Sequence, residues 1–514
     1  MTENFIRVSG DGWHFEEASS GRPFVPIGTN YCAVIEAIET GGYCGQVFPL
    51  FGRDEHTETD PVEEARRAFS RLADLGMNVV RTWLEPSDFF PVGLRLDSEA
   101  ADRFDAVIAA ASDHSIRLSV GLHLCPIASR GFSAGRIRSF EPPHRQRLIE
   151  HLHLLAGRWG NEPAIFSWTI VGEGTLPWRT PWMENGWPAF LQYWYDDDLD
   201  SLRSEWGAKV SVPSFAEAPV PPRNIGATLP LGAVNPGNLA SLPEDEWAGS
   251  TWRYDWRLYL EEIGSAWIAE QVRALRTSGA RQMIAVGNNS WTFPGLPVGQ
   301  MALGFNPFFY LDSVDYLCQH NYPAPQCLPG GTGDPLDSEE AMQTWLAGNE
   351  VMGRIYGSLG KPVVMEEWGW YGGGESRFLT PLPFRSEEDQ SRYSDRMMES
   401  MQSCFAGWIY WQWRDMPRAA DITNFSGLYA ADGTRLKPWG QRYGECAARR
   451  KQNPPALARA KAVVGIPMRE FTTSDRFHET WWQTICRDYP TTGPLDFRLD
   501  FERKPLVRLR GDKC

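Results

Sequence analysis

Read for its apolar and polar positions, the chain falls into eight short apolar runs, each ending in polar or aromatic residues. They are FVPIGTNY (24–31), NVVRTWL (78–84), IRLSVGLHL (116–124), IFSWTIVGEG (165–174), MIAVGNNSW (283–291), VDYLCQHNYP (314–323), KPVVMEEWGW (361–370) and AGWIYWQWRD (406–415). Runs of this length bounded by turn residues read as buried strands. Between most of them lie amphipathic stretches such as PVEEARRAFSRLADLG (61–76) and PPHRQRLIEHLHLLAGRWG (142–160), each closed by glycine, a common helix stop. A strand-then-helix rhythm repeated eight times predicts an α/β fold, the (β/α)8 TIM barrel, over residues 24–450. The polar residues gather at the C-terminal ends of the strands, where such barrels place their chemistry.

Three regions exceed what a barrel needs. The N-terminal segment 1–23 alternates like a β-hairpin turning at Gly10-Asp11-Gly12. About a hundred residues, 175–280, separate strands 4 and 5; this insertion is rich in Trp and Pro and contains a helix at roughly 254–278. Past Trp439, RRKQNPPALARAKAVVGIP reads as a linker, and residues 451–514 form a linker and small C-terminal extension whose FRLDFERKPLVRLR alternates like an edge strand or hairpin.

Composition narrows the function. The 514 residues are 42% hydrophobic and 22% charged, an ordinary globular balance with a sizeable core. A net charge of −15 argues against nucleic acid or an anionic membrane as partner, and no apolar run approaches a membrane span. Nine cysteines without a CxxC pair fit reduced, buried thiols, and MTENFIRVSGDGWHF has neither a basic nor an apolar leader pattern, so the expected location is cytoplasmic. The 23 tryptophans suit either sugar-binding surfaces, where flat rings meet apolar sugar faces, or a large aromatic core.

The stretch KPVVMEEWGW runs an apolar strand into two adjacent carboxylates. By alternation Glu367 shares a face with Val363 and Met365, and Glu366 lies on the other face with Val364. A further carboxylate, Glu173, ends strand 4 on roughly the opposite side of the barrel mouth. Two carboxyls facing each other across a cleft are the minimal equipment for glycoside hydrolysis, one protonating the leaving oxygen and the other attacking or activating water. Metal-dependent hydrolysis would need histidines at strand ends; the one H-x-H, His151-Leu152-His153, falls in a predicted helix, where the two rings diverge. Neither a G-x-S-x-G nor a phosphate loop is present, so no metal and no cofactor is expected.

IFSWTIVGEG and KPVVMEEWGW resemble the strand-4 and strand-7 signatures of clan A retaining glycoside hydrolases, most closely the family 5 cellulases and β-mannanases. The resemblance covers about 24–440. It implies Glu173 as acid/base, Glu367 as nucleophile, and Glu366 turned away into a structural salt bridge. It further implies that Arg81 steadies the ionised nucleophile, that His320 and Tyr322 are the strand-6 His-x-Tyr, and that Trp411 floors the sugar subsite, with Trp413 extending that floor. His123 reads as structural. One position departs from the pattern: Gly172 stands where the family carries the Asn that bonds the sugar 2-hydroxyl, a task Asn288 or Asn289 could take over. The insertion is similar to segments of the family 42 β-galactosidases, exo-acting enzymes, and would close one end of the cleft. The implied function is a retaining β-glycosidase that hydrolyses β-linked oligosaccharides from the non-reducing end. An endo-acting mannanase- or cellulase-like hydrolase and a non-catalytic sugar-binding barrel stand as alternatives; sugar identity and oligomeric state stay open.

Overall fold

The structure, a computed structural model, describes residues 4–34, 46–48, 50–51, 60–84, 86–122, 140–142, 144–172, 174, 176–223, 246–287, 304–323, 334–378, 380–419, 421–473, 481 and 483–500. Eight parallel strands make one sheet: β1 (Ile27–Asn30), β2 (Val79–Leu84), β3 (Arg117–Leu122), β4 (Ile165–Gly172), β5 (Met283–Gly287), β6 (Leu317–Asn321), β7 (Val363–Trp368) and β8 (Gly407–Tyr410). Consecutive strands pair from β1 to β5 and from β6 to β8, and β8 returns to β1. Asp315 closes the seam between β5 and β6. Its N–H donates to Ile284 O at 2.9 Å, and its carboxylate accepts from Ile284 N at 2.7 Å. The predicted (β/α)8 barrel is the fold. Its strands are buried almost throughout, which is why they read as continuous apolar runs rather than as alternation.

The helices follow from local signals. Asp60 caps α1 (Pro61–Asp74), accepting from Val62 N and Glu63 N, and Pro61 opens it. Ala65, Ala68, Phe69 and Leu72 then bury one face, the i, i+3, i+4, i+7 stripe. The helices α2 (Ser98–Asp113) and α3 (His144–Trp159) have 16 residues each. In the insertion, α4 (Pro181–Trp194) and α5 (Leu199–Trp206) pack against α6 (Thr251–Thr277), whose 27 residues span about 40 Å. Around the barrel follow α7 (Glu339–Gly357), α8 (Glu387–Met401) and α9 (Pro438–Gln452).

Much of the tryptophan is core. Trp187 is 1% exposed and packs against Trp206, Trp256 and Tyr259. The indole N–H of Trp252 donates to Pro219 O at 2.8 Å, that of Trp206 to the Asp255 carboxylate at 2.7 Å, and that of Trp256 to Trp178 O at 3.0 Å. The aromatic-core reading therefore accounts for the insertion's Trp content.

At the other end, three short antiparallel strands, Ile6–Val8, Phe15–Glu17 and Pro23–Phe24, extend the expected hairpin by one strand. Phe15 meets Phe166 and Tyr316 at ring centroid distances of 5.6 and 5.5 Å. The C-terminal segment differs from its expected shape. Arg449–Gln452 ends α9 instead of opening a linker, while Leu495–Asp500 is the expected edge strand, paired in parallel with Ala462–Pro467; residues 501–510 of the same stretch lie outside the described residues. Arg354, fully buried on α7, fixes this piece by donating to Leu495 O at 2.9 Å and to the Asp496 carboxylate.

Candidate active site

The two adjacent glutamates do not simply alternate. Along β6 and β7 the register runs Leu317–Val363, Cys318–Val364, Gln319–Met365, then jumps to His320–Glu367. β7 thus carries one extra residue at Glu366. A bulge of this kind re-aims side chains, and it is common beside active sites. Its result corrects the expectation that Glu366 faces away from its neighbour: both carboxylates reach the same guanidinium. Arg81 Nη1 donates to Glu367 Oε1 at 2.5 Å. Arg81 Nε lies 3.2 Å from Glu366 Oε2, an ion pair whose angle is poor for a hydrogen bond.

Glu366 is fully buried inside the barrel, where Tyr316 OH donates to its Oε1 at 3.1 Å and Thr169 Oγ1 at 3.4 Å. Glu367 sits one residue nearer the mouth and is 8% exposed. The salt bridge expected for Glu366 is present, but its partner is the same arginine that holds Glu367.

The charges explain one another. Burial opposes ionisation of Glu366, yet Arg81 and then His320 bring its pKa from the ordinary 4.5 down to about 2. Burial likewise opposes the Arg81 charge, and the two carboxylates overcome it and hold the guanidinium above its usual value. Burial, reinforced by Glu366, pushes the Cys318 thiol and the Tyr316 phenol well up, so both stay protonated below the ion pair.

His320 completes the group. Its Nε2 lies 3.3 Å from Arg81 Nη2 and its Nδ1 3.3 Å from Glu367 Oε1. Nε2 also lies 3.7 Å from Glu366 Oε2, so the ring stands between both carboxylates and the guanidinium, and which nitrogen donates follows from its protonation. Gly287, at the end of β5, makes room for this ring: a Cβ there would lie 3.1 Å from His320 Nε2. Tyr322 OH donates to Glu367 Oε2 at 3.3 Å.

An apolar wall stands beside these polar groups. Trp83, Trp411, Met416 and Cys32 form a small cluster separate from the main core, with Tyr322 and Ala419 against it. Trp411 donates its indole N–H to Thr423 Oγ1 at 3.1 Å and meets Trp83 edge-on at 5.8 Å. Arg81 Cζ lies 4.2 Å from the Trp83 ring centroid. Trp83 lies flat against β3 because Gly121 has no side chain; a Cβ there would be 2.2 Å from Trp83 Cδ1. Trp413 does not extend this wall. It is 1% exposed in the main core and stacks on Tyr31 at 5.2 Å.

Of the sequence candidates, Arg81, His320, Tyr322, Trp411 and Glu367 converge, while Trp413 does not. Glu173, Asn288, Asn289 and His123 lie outside the described residues. Gly172 ends β4, paired with Gly287. Three contributors were not singled out in the sequence. Asn30, ending β1, accepts from Arg81 Nη1 at 3.0 Å and donates to Glu366 O at 3.0 Å. Trp83 is two residues after Arg81, so strand alternation already put them on one face. Met416 follows the last strand and carries no local signal. Among the described residues, no cluster of His, Cys, Asp and Glu could hold a metal ion.

No family model matches the sequence, and no curated protein matches it either. Solved structures do share the fold. An exo-β-1,4-mannosidase from Opitutaceae bacterium strain TAV5 superposes with a TM-score of 0.60 at 16% identity, over 96% of this chain and 72% of that one. A GH5_18 enzyme from Streptomyces cattleya, in complex with Manβ1-4GlcNAc, gives a TM-score of 0.55 at 14% identity, over 85% of this chain and 89% of that one. A β-galactosidase from the psychrophilic Marinomonas ef1 gives 0.63 at 15% identity, over 87% and 68%. At these identities the likeness establishes a common barrel.

Proposed function

We propose that the chain is a glycoside hydrolase, a retaining β-glycosidase that removes sugars from the non-reducing end of β-linked oligosaccharides. The observation that carries this reading is Glu367 at the mouth of the barrel, with Oε1 held by Arg81 and His320 and Oε2 facing the Tyr322 hydroxyl, beside the Trp83–Trp411 wall. An arginine, an imidazole and a phenol around one carboxylate keep it ionised and oriented, which a nucleophile requires. In this mechanism a Glu367 oxygen attacks the anomeric carbon, forming a glycosyl ester while the bond to the leaving oxygen breaks. Glu173 gives that oxygen its proton. Glu173 then takes a proton from water, whose oxygen displaces Glu367 and restores the carboxylate.

The exo mode rests on two supports. The insertion adds α4, α5 and the long α6 beside β4, material to wall one end of a cleft. Fold neighbours include proteins described as an exo-β-1,4-mannosidase and as β-galactosidases. The five cysteines among the described residues are free and buried, which suits a reducing compartment.

The deciding experiment is a panel of nitrophenyl β-glycosides and short oligosaccharides, with the first product anomer followed by NMR. A β product from a β substrate, with release of monosaccharide, is expected. An α product first would refute double displacement. Mixed-length fragments without monosaccharide would refute the exo mode. Activity that persists in Glu367→Ala would refute the assigned nucleophile.

A further inference from the structure

The extra residue in β7 displaces backbone as well as side chains. The pairing of β7 with β8 runs Val364–Gly407 and Met365–Trp408 and goes no further. The carbonyl of Glu366 therefore falls outside the ladder, inside the barrel, where an unmet carbonyl is costly. Asn30, ending β1 and wholly buried, supplies the donor. Its Nδ2 donates to Glu366 O at 3.0 Å and to Tyr410 O, at the end of β8, at 3.0 Å. Its Oδ1 accepts from Arg81 Nη1 at 3.0 Å.

These bonds use both N–H groups of the amide and leave it one orientation. Turned over, it would set N–H groups against a guanidinium and its oxygen against two carbonyls. Arg81 Nη1 is used up in the same way, with one hydrogen on Asn30 and the other on Glu367 Oε1 at 2.5 Å. The Glu366 side chain is thus paired with Arg81, and its backbone is held by Asn30. From β1, one amide links the bulge that precedes Glu367 to the nitrogen that holds Glu367.

A second asparagine ties the other end of the same strand. Asn78, just before β2, accepts from Ile27 N at 2.9 Å and donates to Val25 O at 2.9 Å. Both partners are backbone groups, so Asn78 does for the start of β1 only what a structural asparagine does.

Resting on the glycosidase reading, we propose that Asn30 is a positioning residue: one end of its amide fixes the β7 bulge and the other fixes Arg81, so that Glu367 is presented to the anomeric carbon in a single orientation. An orientation set in folding need not be found again at each turnover.

The test compares Asn30→Ala and Asn30→Asp with Asn78→Ala on the best aryl β-glycoside, reading kcat, KM, the acid limb of kcat/KM against pH, and melting. Asn78→Ala should melt lower than wild type and keep its kcat and acid limb. Both Asn30 variants should lose about 10- to 100-fold in kcat, with KM changed less than about threefold. Their acid limb should move to higher pH by about half a unit or more, because a carboxylate whose guanidinium is loosened, or shared with a second acid, keeps its proton to higher pH. An acid limb that stays where wild type has it, or a kcat within about twofold of that of Asn78→Ala, overturns the proposal. Failure of both Asn30 variants to fold also overturns it and leaves Asn30 a folding residue. Should wild type cleave no glycoside, the glycosidase reading fails, and crystal structures of wild type and Asn30→Ala judge the positioning role by themselves. Loss of the Arg81–Glu367 contact or of the His320–Glu367 register in the variant upholds it, and an unchanged site ends it.

Discussion

Replacing Glu366 by Gln keeps the shape of the side chain and removes one charge from beneath Arg81. The carboxylate is fully buried, and its pKa falls from 4.5 to about 2, chiefly because Arg81 Nε stands 3.2 Å away. A group whose pKa is lower folded than unfolded contributes stability above its unfolded value and loses it as pH falls through the folded one. For this drop the contribution is on the order of 3 kcal/mol at pH 7 and falls to roughly half of that by pH 3. Glu366→Gln should therefore unfold at lower denaturant than wild type at pH 7, and the gap should narrow on acidification, beginning below about pH 4.5. Arg81 keeps Glu367 and Asn30 as partners, so the variant should fold and retain much of its turnover. The assay is a set of urea midpoints for both proteins between pH 7 and the lowest pH at which wild type stays folded. A gap that does not change with pH would mean the charge is not what Glu366 contributes. A loss of kcat matching that of a nucleophile variant would mean the roles of the two glutamates have been wrongly divided.

Three further outcomes follow from the same geometry. Glu367→Gln should lower kcat by several orders of magnitude with little change in melting temperature, read from initial rates on the best aryl glycoside, since removing the attacking group removes the covalent route. Tyr322→Phe deletes a hydrogen bond to a charged oxygen at 3.3 Å and should cost about 10- to 100-fold in kcat/KM, with KM changed less than kcat. Gly121→Ala puts a Cβ 2.2 Å from Trp83, and should lower stability by about 1–3 kcal/mol in chemical denaturation while raising KM as the Trp83–Trp411 wall shifts.

The barrel was legible because its strands are buried on both faces and helices such as α1 on one, so strand and helix write different periods into the chain. The start of α1 was legible to the residue, since Asp60 and Pro61 are local signals that no tertiary contact has to supply. The C-terminal segment was legible as an edge strand but not in its pairing. Leu495–Asp500 takes its partner from Ala462–Pro467, about thirty residues earlier, and its anchor from Arg354 on a barrel helix, and nothing within the segment encodes either. Trp413 failed for a related reason. Its spacing from Trp411 suggested a shared face, but past the end of β8 the backbone no longer alternates as a strand, and Tyr31 takes the ring into the core.

The two glutamates show where strand alternation stops being a guide. It assigns Glu366 and Glu367 to opposite faces, and that would hold if β7 matched β6 residue for residue. The extra residue in β7 is visible only in the pairing with His320, so no property of EEW by itself reveals it. The physical consequence reaches further than orientation. With one carboxylate below Arg81 and one above, the guanidinium is fixed from inside the barrel before any ligand arrives, and Glu367 meets a donor that cannot swing away. A site whose key side chain must stay ionised and aimed gains more from such a preset partner than from added contacts at the mouth, because the ordering cost is met in folding rather than at each turnover. On the proposed glycosidase reading Glu366 is a positioning residue that acts through Arg81, and the adjacent pair divides into a holder and an attacker.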